Sequence, residues 1–94
     1  MDRQPAIIIV TYNSAAFLPS CLESALARSA EVVVVDNASS DDTLAVARRY
    51  PAAQLIANST NAGFAAAVNQ GVRASVSDYI LLLKIGRASC RERV

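Results

Sequence analysis

Four consecutive valines, Val32 to Val35, run directly into Asp36 and Asn37, and this stretch constrains the fold more than any other. β-Branched side chains are stiff at χ1, four residues are too few for an ordinary helix, and both alternating faces are apolar. The run therefore reads as a strand buried on both sides. Such strands belong to parallel α/β sheets, whose ligand sites lie just beyond the carboxyl ends of the strands, where Asp36 and Asn37 fall. A plain turn into a helix, with Ser40 or Asp41 as N-cap, accounts for the same residues without a ligand.

The rest of the chain repeats this format. Ala6 to Val10 reads as a first strand leaving through Thr11-Tyr12-Asn13-Ser14. Phe17, Leu18, Cys21, Leu22, Ala25 and Leu26 share one helical face, predicting a helix from about Ala15 to Ala27 with Pro19 in its opening turn. A second helix is expected beyond Ser40, with Asp41 and Asp42 in its first turn and Arg48 and Arg49 in its last, complementing the helix dipole. Gln54 to Ala57 reads as a third strand, followed by a polar loop, Asn58 to Gly63. A third helix is predicted over Phe64 to Ala74, burying Ala65, Val68 and Val72 and showing Asn69, Gln70 and Arg73 to solvent. Tyr79 to Leu83 is a fourth buried strand. The β-α-β-α-β-α-β order argues an α/β fold, a parallel Rossmann-like sheet of about four strands with three helices and right-handed crossovers.

Size and composition remove several alternatives. Ninety-four residues, 53% of them hydrophobic, suffice for one small domain with a real core. Residues 1–83 carry five arginines against seven acids, a net −2, and offer no nucleic-acid patch. There is no histidine, and Cys21 and Cys90 lack metal-ligand spacing, which excludes zinc sites and His-based acid–base catalysis. The apolar run after Pro5 is too short for a signal peptide or a membrane span, so a cytoplasmic protein is expected.

Three segments in register, each preceded by a strand, then carry a resemblance: Ile8-Ile9-Val10-Thr11-Tyr12-Asn13-Ser14, Val34-Val35-Asp36-Asn37-Ala38-Ser39-Ser40-Asp41, and the run from Asn61-Ala62-Gly63-Phe64 to Asn69-Gln70-Gly71. Together they resemble the amino-terminal half of family 2 glycosyltransferases, specifically the rhamnosyltransferase-like branch, over residues 6 to 83. The resemblance implies a truncated glycosyltransferase A fold and inverting transfer of a sugar from a nucleotide-diphosphate donor, of uridine or thymidine type, to a glycan or lipid-linked acceptor in building a bacterial surface polysaccharide. It further implies that Thr11, Tyr12 and Asn13 line the base pocket, with Tyr12 against the pyrimidine, and that Asp36, beside Asn37, accepts the ring N–H. Asn61, Gly63 and Asn69 match a second ligand-proximal segment, where Gly63 permits close backbone approach and the following helix presents free N–H groups. Phe64 reads as a packing residue. The full-length enzyme is expected to need a divalent cation, Mg or Mn, and to work in the cytoplasm, at the inner face of the membrane if it associates peripherally.

The resemblance stops at Leu83. Where the family continues into an acidic metal motif, this chain reads Lys84-Ile85-Gly86-Arg87-Ala88-Ser89-Cys90-Arg91-Glu92-Arg93-Val94, with four basic groups against one acid. That tail looks like a short-read sequencing adapter translated in frame. Residues 1–83 are therefore expected to be the nucleotide-sugar-binding half of a glycosyltransferase domain and residues 84–94 a non-native tail. A basic segment for a membrane surface is the rival reading of the tail. Such a fragment lacks the metal motif and the catalytic base, binds no metal through this chain, is inactive alone, and leaves its fourth strand as a bare apolar edge that lowers solubility. The alternatives are a nucleotidyltransferase-like half-sheet, which wants a Gly-rich basic loop after the first strand, and a non-catalytic nucleotide-binding α/β module. A dinucleotide-binding domain lacks its Gly-x-Gly-x-x-Gly here.

Overall fold

A computed structural model describes residues 5–29, 31–85 and 90–93. The elements run β1 (Ala6–Thr11), α1 (Leu18–Arg28), β2 (Val32–Asp36), α2 (Thr43–Arg48), β3 (Gln54–Ala57), α3 (Phe64–Ala74), β4 (Ile80–Ile85) and β5 (Cys90–Arg93). The sheet order is β3-β2-β1-β4-β5. The first four strands are mutually parallel and β5 pairs antiparallel with β4. The expected four-strand parallel sheet with three helices is thus present. The edge expected to lie bare along β4 instead carries β5, which lies within the 84–94 segment; residues 86–89 and 94 of that segment lie outside the described residues.

The valine run behaves as its composition requires, and all of β2 is buried. Val32 and Val34 join Ile7, Ile9, Leu81 and Leu83 on the face covered by α1 and α2. Val33 and Val35 join Ile8 on the opposite face, beneath Ala67 of α3. Alternation along each strand therefore feeds two separate cores, which is why the run has no polar face. In α1, Leu18, Cys21, Leu22 and Ala25 are buried, the stripe read from their spacing, with Pro19 in the first turn where its missing N–H is harmless.

Two helices differ from expectation. α2 starts at Thr43 with Asp42 flanking it, so neither Asp41 nor Asp42 lies inside the first turn, and Arg48 is the last helical residue, with Arg49 at the C-cap. Asp41 acts from outside instead, its Oδ1 accepting from the Thr43 N–H at 2.9 Å and from the Thr43 hydroxyl. α3 has the expected bounds but a different face down: it buries Ala67 and Gly71, whereas Val72 is 39% exposed and Ala65 is exposed. The physical reason is distance. A Cβ on Gly71 would stand 2.5 Å from Ile8 Cγ2, so only the smallest side chains fit where this helix crosses the sheet.

Candidate functional site

Parallel pairing brings the exits of β1, β2 and β3 to one rim, and the register makes the alignment specific. Thr11 of β1 stands beside Asp36 of β2, which stands beside Ala57 of β3. The ladder continues past the strands, with the Asn37 N–H donating to the Thr11 carbonyl and the Asn58 N–H to the Asp36 carbonyl, both at 2.9 Å. The connections through α1 and α2 step from β1 to β2 to β3, and the one through α3 crosses back to β4 on the far side of β1. Ligand crevices in open α/β sheets form where strand order reverses in this way.

A cleft of about 210 Å³ opens there, lined by Val10, Thr11, Tyr12, Ser14, Asn37, Asn61 and Phe64. Four residues expected at the site, Thr11, Tyr12, Asn37 and Asn61, line it together. Tyr12 and Phe64 are 54% and 44% exposed, so two aromatic rings stand on its rim. Asp36 lies beneath rather than in the wall. Its carboxylate is fully buried; Oδ1 accepts from the hydroxyls of Thr11 and Ser39, each at 2.6 Å, and Oδ2 accepts from the Ser39 N–H at 2.9 Å. A carboxylate has about four acceptor positions, so Oδ2 retains one.

Asn13 braces the site from outside. In the left-handed region at φ 51°, it directs Oδ1 to the N–H groups of Ser40 and Asp41, at 2.8 and 3.3 Å, while its own N–H donates to the Ser39 hydroxyl at 2.8 Å. Asparagine tolerates that conformation better than most residues, so residue type and backbone agree. Ala38 shares the positive φ, at 64°, without that excuse, and the bonds Ser39 makes to Asp36 hold it there. Gly63, at φ 87°, forms the N-cap of α3; its N–H donates to Asn61 Oδ1 at 2.8 Å. Asn69 is exposed on α3 and does not line the cleft.

Several contributors escape sequence reasoning. Phe64 lines the cleft instead of packing inward. Asn58 and Gln70 form a reciprocal amide pair behind Asn37, each donating to the other at 2.8 Å. Spacing gives no signal for that pair, since its partners come from a strand exit and a helix. Ser14, buried at the start of the turn, accepts from the Tyr12 N–H and donates to the Tyr12 carbonyl, which holds the aromatic residue on the rim.

Asp41 ties the two helix entries together. Desolvation pulls its carboxyl upward, but hydrogen bonds from the Thr43 hydroxyl and amide and the Ala15 amide outweigh this and hold it below the ordinary 3.8. A carboxyl depressed by folding stabilises the native state above its unfolded value and loses that contribution as pH falls through the folded one. Wild type is therefore expected to be more stable than Asp41→Asn at pH 6, and the gap to narrow below about pH 4. Urea midpoints of the two proteins at pH 6 and pH 3 check this.

The divalent ion implied by the resemblance finds no donor set here. Among the described residues no group of three or more His, Cys, Asp or Glu side chains converges, and Asp36 is enclosed by Thr11 and Ser39. These residues do not fit a metal. No helix among them is long and apolar enough to cross a membrane.

Comparison with known proteins gives the family. The model of the family described as "Glycosyl transferase family 2" matches residues 6–83. A "PGL/p-HBAD biosynthesis glycosyltransferase" of Mycobacterium tuberculosis is 35% identical over 85 residues, covering 83% of this chain and 33% of that protein. The "Putative glycosyltransferase EpsE" of Bacillus subtilis is 35% identical over 80% of this chain and 30% of its own length. The "Succinoglycan biosynthesis protein ExoO" of Rhizobium meliloti is 38% identical over 88% of this chain and 26% of its own. The chain spans about a third or less of the length of these curated relatives. Because that family's model matches residues 6–83, from β1 into β4, the chain belongs to glycosyl transferase family 2.

Proposed function

We propose that residues 6–83 form the donor-nucleotide half of a glycosyltransferase and that the cleft takes the nucleoside of a uridine or thymidine diphosphate sugar. The observation that carries this reading is the convergence of Thr11, Tyr12, Asn37 and Asn61 on one cleft with the Asp36 carboxylate beneath it. Uracil and thymine present a ring N–H between two carbonyls, and the acceptor position left on Asp36 Oδ2 is the natural partner for that N–H. Reaching it requires the floor at Thr11 and Ser39 to open. Tyr12 offers the π-face on which a base stacks. Clefts that enclose a drug-sized ligand run to about 300–1,000 Å³. At about 210 Å³ this one suits a nucleoside and leaves the sugar to a surface supplied elsewhere.

The residues present can bind and orient a nucleotide. Inverting transfer to a glycan or lipid-linked acceptor, the rhamnosyl-type donor, the divalent cation, the base and any association with a membrane surface belong in this reading to the full-length protein. The surface-polysaccharide role draws on the relatives' names, one of which specifies succinoglycan biosynthesis. Residues 84–94 are foreign to the domain in this reading, and resequencing the locus past Leu83 tests that point.

Calorimetric titration of uridine and thymidine diphosphates into the chain tests the cleft. Wild type is expected to bind both, Tyr12→Phe to bind comparably, and Tyr12→Ala to bind about tenfold more weakly, the value of one base–aromatic stack. Absence of binding by folded wild type would overturn the reading. Equal binding by Tyr12→Ala would remove Tyr12 from the site.

A further inference from the structure

Three side-chain amides stand in a row behind the cleft, and their orientations depend on one another. Asn37, at the exit of β2, donates from Nδ2 to the Gly63 carbonyl at 3.1 Å, and its Oδ1 accepts from Asn58 Nδ2 at 3.1 Å and from the Ala62 N–H at 3.3 Å. Asn58 Nδ2 also donates to Gln70 Oε1 at 2.8 Å, and Gln70 Nε2 donates back to Asn58 Oδ1 at 2.8 Å. Turning over the Asn37 amide would set its NH2 against two donors and its oxygen against a carbonyl. Turning over Asn58 would set its oxygen against those of Asn37 and Gln70. The Ala62 N–H and the Gly63 carbonyl therefore set how the Asn37 amide faces, Asn37 sets how Asn58 faces, and the reciprocal pair with Gln70 on α3 holds Asn58 in that place.

The consequence for a ligand follows from counting positions. Both lone pairs of Asn37 Oδ1 are occupied and one of its two Nδ2 hydrogens is used, so one donor hydrogen remains. Asn37 lines the cleft, whereas Asn58 and Gln70 do not. We propose that Gln70 is a positioning residue for nucleotide binding: by holding Asn58 against Asn37 it keeps the Asn37 amide seated in the donor orientation that the Ala62 N–H and Gly63 carbonyl set, so that the ligand atom meeting Asn37 is an acceptor oxygen. The proposal rests on the nucleotide reading of the cleft. The oxygen belongs to the nucleoside or to the diphosphate, and the test separates these sources.

The experiment compares wild type, Gln70→Leu and Gln70→Glu as full chains, with circular dichroism confirming that each is folded, by titration of uridine diphosphate and of uridine at pH 7.0 and pH 4.5. In Gln70→Glu the ionised carboxylate can accept from Asn58 Nδ2 but has no hydrogen for Asn58 Oδ1; the protonated form restores it. Glutamate titrates near pH 4.3, so the substituted side chain is substantially protonated at the lower pH. The charged neighbours in the chain, Asp36 on β2 and Arg73 on α3, are common to all three proteins, and wild type at the same pH is the reference. Gln70→Glu is expected to bind uridine diphosphate about fivefold to tenfold more weakly than wild type at pH 7.0, the worth of one hydrogen bond, and to recover at least half of that loss at pH 4.5. Gln70→Leu is expected to stay weak at both. A loss also seen with uridine places the oxygen on the nucleoside, and a loss seen only with the diphosphate places it there; either supports the proposal. If wild type binds and both variants match it, or both stay equally weak at the two pH values, the positioning role is overturned while the nucleotide reading stands. If folded wild type binds neither ligand, both fall together.

Discussion

Asp36→Ala is expected to destabilise the chain by about 3–4 kcal/mol. The substitution leaves the Thr11 hydroxyl, the Ser39 hydroxyl and the Ser39 N–H without the acceptor they share. A buried donor left unsatisfied costs about 1–3 kcal/mol, and hydrogen bonds to a charged group are at the strong end. The total falls short of three full penalties because Ser39 is only half-buried and its groups can find water, whereas Thr11 is fully buried. A domain of this size has about 5–15 kcal/mol in all, so the loss takes a large part of it. At about 4–8 °C per kcal/mol, the Tm should fall by roughly 12–30 °C. Asp36→Asn should lose only about 1–2 kcal/mol, since one amide oxygen still accepts and both hydroxyls can rotate to accept from the NH2. Thermal melts of the two variants check the contrast. Equal losses would mean that the negative charge, and not the satisfaction of three donors, is what matters at the floor of the cleft.

The same carboxylate shows which parts of this protein can be read without coordinates. β-Branched runs ending in polar residues identify the strands, because a strand buried on both faces can hold little else, and parallel pairing then forces all the polar exits to one rim. Thr11, Tyr12 and Asn37 are legible for that reason, and Asn61 through the resemblance carried by the run from Asn61 to Gly71. What a residue does at the rim is less so. Asp36 and Asn13 are both polar and both at strand exits, yet one is a buried acceptor under the cleft and the other a clamp between two loops, a distinction set by the positive φ of Asn13 and Ala38. The Asn58–Gln70 pair is invisible in the sequence because its partners are twelve residues apart with no periodicity linking them. Asn69 illustrates the converse: adjacent to Gln70, it points elsewhere because neighbours on a helix lie about 100° apart. Helix α3 is misread when side-chain size is given the most weight. Val72 suggests the buried face, but the closest approach to the sheet admits only Ala67 and Gly71.

That approach also makes Gly71 the position where a packing change should reach the cleft. Gly71→Ala places its Cβ 2.5 Å from Ile8 Cγ2, 3.1 Å from Ile8 Cδ1 and 3.4 Å from Val35 Cγ2. Ile8 is fully buried on a central strand and its Cγ2 is not the end of a flexible arm, so α3 has to move outward. For alanine, overpacking of about 1–3 kcal/mol is partly offset by about 1 kcal/mol of better helix propensity, leaving a net loss of about 0–2 kcal/mol. Valine adds two methyl groups where there is no room for one and gives up part of the propensity gain, so Gly71→Val should lose about 3 kcal/mol or more. The exposed neighbour supplies the control: Val72→Ala on the same turn should change stability by less than about 1 kcal/mol. Because the helix that Gly71 seats also carries Phe64 on the cleft wall and Gln70 behind Asn37, its displacement should weaken uridine diphosphate binding at temperatures where Gly71→Ala is still folded. Titration of Gly71→Ala and Val72→Ala under those conditions checks this. If Gly71→Ala melts earlier but binds as wild type does, α3 is a support for the sheet alone and the cleft is held together by its loops.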